Sequence, residues 1–201
     1  RDSSTSRGLG DVYKRQYILQ TKATGQASQG ITPLYGFVVD SLEITPGQDK
    51  SGTLVLTPLV RHVTFTVQVD KPEEIKTCKG SLSGVSTSLN LSKRKVVTEA
   101  STNVEFDMET SDKGVNGDLI ILGTALPKEE EQKPVTNQVT IDFTLSDGST
   151  VSATADLEDK LNEIDTPHVN VTINATVEKS PKFTIRLTNW EVGPGEETTI
   201  E

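Results

Sequence analysis

Residues 135–157 read VTNQVTIDFTLSDGSTVSATADL. Val135, Val139, Ile141, Phe143 and Leu145 fall on one parity, and Thr136, Gln138, Thr140, Asp142 and Thr144 fall on the other. Successive side chains of an extended strand point to opposite faces, so this pattern predicts a strand with one buried and one wet face. Val151, Ala153, Ala155 and Leu157 resume the alternation after Ser-Asp-Gly-Ser at 146–149. An Asp-Gly pair between two alternating runs is a hairpin signal, because glycine accepts the positive φ of a tight turn. The two strands are therefore expected to be antiparallel neighbours.

The same texture extends in both directions. In LVRHVTFTVQV (59–69), Leu59, Val63, Phe65, Val67 and Val69 share a face that Arg61 alone interrupts. Further strands are predicted in YGFVVDSLEI (35–44), GTLVLTP (52–58), TNVEFDME (102–109), DLIILGTAL (118–126), HVNVTINATVE (168–178) and KFTIRLTNWEV (182–192). Gly, Pro, Asp-Lys or Ser-Pro bounds each of them, and such regular punctuation suits an antiparallel β-sandwich better than βαβ units. One helix is expected after Ala155: Leu157, Leu161 and Ile164 lie on one helical face, Asp156 is placed to cap it, and Pro167 stops it. It reads as a short crossover between sheets. TPGQDKSG (45–52) and KEEEQKP (128–134) read as solvated loops. The first also marks a boundary, dividing the chain into residues 17–52, the remnant of a preceding β domain, and residues 53–201, an all-β sandwich of about seven core strands.

Charge and composition narrow the function. Arg1, Arg7, Lys14 and Arg15 against Asp2 and Asp11 make residues 1–16 basic, so the rest of the chain is more acidic than the overall net charge of -9. Such a surface repels phosphate backbones and argues against nucleic-acid binding. Cys78 is the single cysteine, which excludes an intrachain disulfide and any multi-cysteine metal site. His62 and His168 each lack a second ligand two residues on, where Thr64 and Asn170 stand, and both read as surface histidines of strands. Lys76 and Lys79 flank Cys78 and are placed to lower its pKa, but no catalytic motif surrounds it. The glycines of LSGVS and GVNGD lack phosphate-loop spacing and read as turn glycines, and no G-x-S-x-G elbow is present. Asp107, Glu109 and Asp112 alternate outward and only loosely resemble a calcium cluster. Asn90, Asn170 and Asn174 begin N-x-[ST] sequons, which arise readily in a Thr-rich chain. No catalytic residue, cofactor or metal site is expected, and the chain reads as a non-enzyme. Trp190, the lone tryptophan, is out of phase with Phe183, Ile185 and Leu187. It lies on the other face or beyond a bulge at Asn189, as a plug at the sandwich end or as an interaction residue for a neighbouring subunit.

The order of these segments resembles the C-terminal half of Bacteroidetes fimbrillin-like proteins, the lipoprotein pilins and fimbrial anchor or tip subunits. The likeness covers roughly residues 35–201, and its most specific pieces are LTPLVRHVTFTV (56–67), SLSGVSTSLNLS (81–92) and LSDGSTVSATADLEDKL (145–161). The resemblance implies transthyretin-like β-sandwich domains, export to the cell surface and outer membrane through a lipidated cysteine, and assembly with other fimbrial subunits by β-strand addition. It also implies adhesion to host or bacterial surface ligands. Cys78 lacks the apolar stretch of a lipidation site, so the anchor is expected upstream of this chain. SRGLGDVYKRQ (6–16) resembles the adaptor-like tails found on reading frames from metagenomic assemblies, and residues 1–16 are accordingly expected to be non-native or disordered. The candidate donor or acceptor edges are residues 34–44 and 190–201. The alternative is a surface module that binds carbohydrate or another ligand, with the acidic loops and Trp190 as its site.

Overall fold

The computed structural model describes residues 16–18, 31, 33–37, 46–47, 49, 51–91, 93–125, 137–157, 160–163, 166–179 and 183–195. Eleven strands, one α-helical turn and a 3-10 turn at Pro72–Glu74 lie within them: β1 (Gln16–Ile18), β2 (Tyr35–Gly36), β3 (Thr57–Pro58), β4 (Arg61–Val69), β5 (Ile75–Asn90), β6 (Lys95–Ser111), β7 (Gly114–Ile121), β8 (Gln138–Leu145), β9 (Thr150–Asp156), α1 (Lys160–Glu163), β10 (His168–Lys179) and β11 (Phe183–Pro194). Hydrogen bonding orders the main sheet β11-β10-β4-β7-β6-β5-β8-β9, with β1 added to β5, while β2 and β3 form a separate pair. The ends of the path, β9 and β11, approach one another without pairing, so the sheet rolls into a nearly closed sandwich.

The hairpin expected at 146–149 is present: Thr144 faces Thr150, and register continues to Gln138 opposite Asp156. Gly148 takes φ 84 and donates to the Leu145 carbonyl at 2.9 Å, while Asp147 Oδ1 accepts from the Ser149 amide at 2.9 Å. The alternation does what it promised, since Val139, Ile141, Phe143 and Leu145 are fully buried and Gln138 and Asp142 are exposed. Val63, Phe65, Val67 and Val69 likewise face the core from β4.

One pairing departs from the antiparallel expectation: β10 runs parallel to β4, with His168 opposite His62 and Ala175 opposite Val69. A short loop forces antiparallel neighbours, but β5 to β9 all intervene between these two strands and leave their relative direction free. The helix also differs from its expected start. Asp156 still belongs to β9, and the Leu157 amide donates to the Asn137 carbonyl at 2.7 Å, so the chain leaves the sheet only after Leu157. Leu157 and Leu161 are buried as expected; Ile164 lies outside the described residues.

The residue pattern predicts no strand at 75–90, yet β5 is the centre of the fold. Its Gly and Ser content hides a buried row of Cys78, Leu82, Val85 and Leu89. Gly84, expected to be a turn glycine, sits inside the strand at φ 71, where the register against β6 shifts between Leu82 and Val85. That bulge bends β5. The first half pairs with β8; the second meets the 123–125 segment and then β1, through Ser86 N to Gly123 O (2.9 Å), Ala125 N to Gly84 O (2.8 Å) and Leu89 opposite Tyr17. The described parts of the N-terminal segment also touch the sandwich, for Ile31 is 5% exposed within its core and Leu34 packs against it. Residues 1–15 and the acidic loop 128–134 lie outside the described residues.

Candidate functional site

Two classes of surface remain open on this frame: strand edges, and the sandwich end where β4 and β10 begin and β7 finishes. β6 pairs with β7 only from Met108 to Ser111, so the edge of Lys95–Asp107 away from β5 has no strand neighbour among the described residues. Among the described residues, β9 and β11 each bond to a single strand. Of the two segments expected to exchange strands, Tyr35–Gly36 pairs with Thr57–Pro58 and Trp190–Pro194 pairs with Val169–Ile173; residues 38–44 and 196–201 fall outside the described residues. Next to β2 runs an exposed apolar strip, Leu54, Val55 and Leu56, with Tyr35 and Phe37 also exposed.

The two histidines, which have no ligand partner along their own strands, meet across the sheet. His168 is in register with His62 on the parallel neighbour, and the rings stand edge to face with centroids 5.5 Å apart. His62 Nε2 lies 3.1 Å from Asp118 Oδ1, which also accepts from the Thr64 hydroxyl at 2.8 Å. No group of three His, Cys, Asp or Glu among the described residues could hold a metal ion. Asp107 and Glu109 point outward from β6, and Asp107 faces Lys79, which faces Asp142 on its other side. This is a cross-strand charge ladder on a wet face rather than a convergent ligand set.

Cys78 reverses its expectation. Lys76 is the extra residue of a bulge against β8, between Ile75 opposite Leu145 and Thr77 opposite Thr144. The bulge turns both Ile75 and Cys78 inward and leaves Lys76 and Lys79 in water. Burial then disfavours the thiolate and pushes the Cys78 thiol from 9.0 up to about 11. A group whose pKa rises on folding supports the fold fully below its unfolded value and loses that support as pH climbs through the folded one. The denaturant midpoint should therefore fall between pH 9 and about 11 more steeply in the native chain than in Cys78→Ala. Titrating both proteins side by side cancels the common contribution of lysines and tyrosines.

Trp190 lies beyond a bulge, one residue earlier than expected. Asn189 pairs with Asn174 and Leu187 with Ala175, so Thr188 is the extra residue. This restores the phase: Trp190 sits opposite the buried Ile173, is half-buried and packs against the core, while Lys160 Nζ stands 5.8 Å from its ring centroid. The ammonium of α1 thus covers one face of the indole, an arrangement favoured by the ring quadrupole.

No protein-family model matches this chain, and no curated protein matches it. Solved structures do. It is similar to the fimbrial anchor protein Mfa2 from Porphyromonas gingivalis at 13% identity and a TM-score of 0.52, over 90% of this chain and 66% of that one. A candidate adhesin from Bacteroides ovatus aligns at 19% identity and a TM-score of 0.46, over 80% of this chain and 60% of that one. A candidate polysaccharide-binding protein from Bacteroides thetaiotaomicron aligns at 13% identity and a TM-score of 0.45, over 90% and 66%. The chain spans less than two thirds of the length of the candidate adhesin and about two thirds of the other two. At these identities the likeness to the anchor protein is one of fold.

Proposed function

We propose that this chain is a structural and adhesive module, a subunit or anchor of fimbriae displayed at the cell surface and outer membrane, that joins other fimbrial subunits by β-strand addition. The observation that carries the reading is the fold shared with a fimbrial anchor protein, combined with a long β6 edge whose backbone groups have no strand neighbour among the described residues. An edge with no strand beside it is a template for an added strand, with main-chain bonds giving affinity and alternate side-chain contacts giving register. Residues 34–44 and 190–201 are the proposed exchanging segments, and Trp190 is the proposed interaction residue because it anchors the second against β10. The domain division near residue 52 and a lipid anchor upstream belong to the same reading. Carbohydrate binding through Trp190 has less support, since a sugar needs the ring face that Lys160 covers.

Hydrogen exchange tests it directly. Added peptides of sequence 34–44 and 190–201 are expected to slow exchange at alternate amides of Lys95–Asp107 or along β9. Unchanged protection on every strand edge with both peptides would count against strand addition. Unchanged edges together with protection around Trp190 by a glycan mixture would favour the carbohydrate-binding alternative.

A further inference from the structure

The only three consecutive basic residues of this acidic chain, Lys93-Arg94-Lys95, form the tip of the β5–β6 hairpin and are exposed. Beside that tip lies a groove of about 350 Å³ lined by Arg94 and Arg61 together with Leu59, Leu89, Val96, Leu122 and Pro167. Leu89 and Leu122 are 2% and 1% exposed, so the floor is firm and apolar. Arg61 is oriented by its bond from Nη1 to the Leu161 carbonyl, which keeps its charge at the groove. Arg94 forms no ion pair among the described residues, and its backbone takes φ 50, a left-handed conformation in which glycine would be the relaxed choice. The turn is braced by Asn90 Oδ1, which accepts from the Lys93 amide at 3.0 Å.

From this arrangement we infer that the groove between the β5–β6 hairpin tip and the start of β4 binds an acidic peptide segment of a partner protein, one that carries carboxylates beside an aliphatic side chain. Charge complementarity selects the partner. The chain carries a net charge of -9, so an acidic segment is drawn to a local cluster of basic residues such as this tip. The Arg94 guanidinium offers a forked donor matched to a carboxylate. The partly exposed Leu59, Val96 and Pro167 supply apolar contact that a polyanionic glycan would leave unused. The volume accommodates one or two side chains, which suits a short anchor rather than a globular face. Val96 belongs to the start of the β6 edge, but Arg94 lies outside that edge, so the inference holds whether or not the chain polymerises by strand addition.

A fluorescently labelled peptide alternating glutamate and valine is the probe, read by polarisation against the full chain. Binding is expected for it and not for the glutamine–valine counterpart, and it should weaken as salt rises from roughly 0.02 to 0.3 M because exposed charges become screened. Arg94→Gly should weaken it about tenfold, the loss of one charge-assisted contact. The same variant should not lower the denaturant midpoint, since glycine is at ease at this φ, which separates lost binding from lost fold. Equal binding of the glutamine peptide, or an unchanged affinity in Arg94→Gly, would overturn the inference. So would polygalacturonate binding at this groove when the glutamate peptide does not bind.

Discussion

Gly114→Ala is expected to lower the free energy of unfolding by roughly 3 kcal/mol, at the upper end of what a disfavoured backbone and a forced contact cost. Gly114 opens β7 at φ 141, a region open to glycine and closed to L side chains. A Cβ built there would stand 1.9 Å from the Val67 carbonyl oxygen and 3.0 Å from the Val69 amide nitrogen. These are backbone atoms of β4, held in the ladder that places Gln68 opposite Gly114, so no rotamer change can relieve the clash. Either β4 separates from β7 or the Ser111–Gly114 turn reshapes. Gly148→Ala is the control: its φ of 84 is also positive, but nothing lies within 4 Å of the added atom. That variant should lose about 1 kcal/mol, the backbone cost alone. Urea denaturation of both, with unchanged slope, measures the difference; equal midpoints would refute steric closure at Gly114.

The contrast between those glycines also separates the features that a sequence displays from those it conceals. Period-two alternation and an Asp-Gly turn are local signals, and they located β4, β8 and β9 with their buried faces. Bulges are not local. Lys76 and Thr188 each insert one residue, and each reverses the inside–outside phase of the strand beyond it, which turned Cys78 into the core and returned Trp190 to it. Trp190 could be seen to need such a shift, because its phase disagreed with Ile185 and Leu187, whereas nothing near Cys78 announced one. β5 is hard to discern because its inward row includes Gly80, and a glycine carries no hydrophobic signal even where a neighbour's ring demands it.

Contacts that depend on topology were legible least. His62 and His168 are far apart in the chain and meet because β10 lies parallel beside β4, a choice that no turn dictates. The groove beside Arg94 is of the same kind: Arg61, Arg94 and Pro167 converge from three separate parts of the chain. A search along single strands for ligands at i+2 has no means of finding either. The Ser-Lys-Arg-Lys run carries no meaning by itself in the sequence, because the groove beside it is built by other strands.

Phe65→Ala should cost about 3–5 kcal/mol, the range for deleting a buried aromatic ring. Phe65 on β4 and Phe106 on β6 stack with centroids 4.8 Å apart and planes 22° from parallel, joining the two strands that flank β7 in the sheet order. Each ring is in register with a glycine on the adjacent strand, Phe65 with Gly117 and Phe106 with Gly80. An added Cβ at Gly80 would come within 2.3 Å of the Phe106 ring, and one at Gly117 within 3.0 Å. Both glycines leave space that the Phe106 ring fills, and Phe65 stacks on that ring, so removing Phe65 creates a cavity that strand backbones cannot close. Phe65→Leu retains most of the volume and should cost less than Phe65→Ala. The Phe65→Ala, Phe106→Ala double variant should fall short of additivity, because the second deletion enlarges a cavity already opened and loses a stacking contact already gone. Denaturant midpoints of the four proteins in that cycle give the coupling, and strict additivity would mean that the rings contribute independently of their stacking.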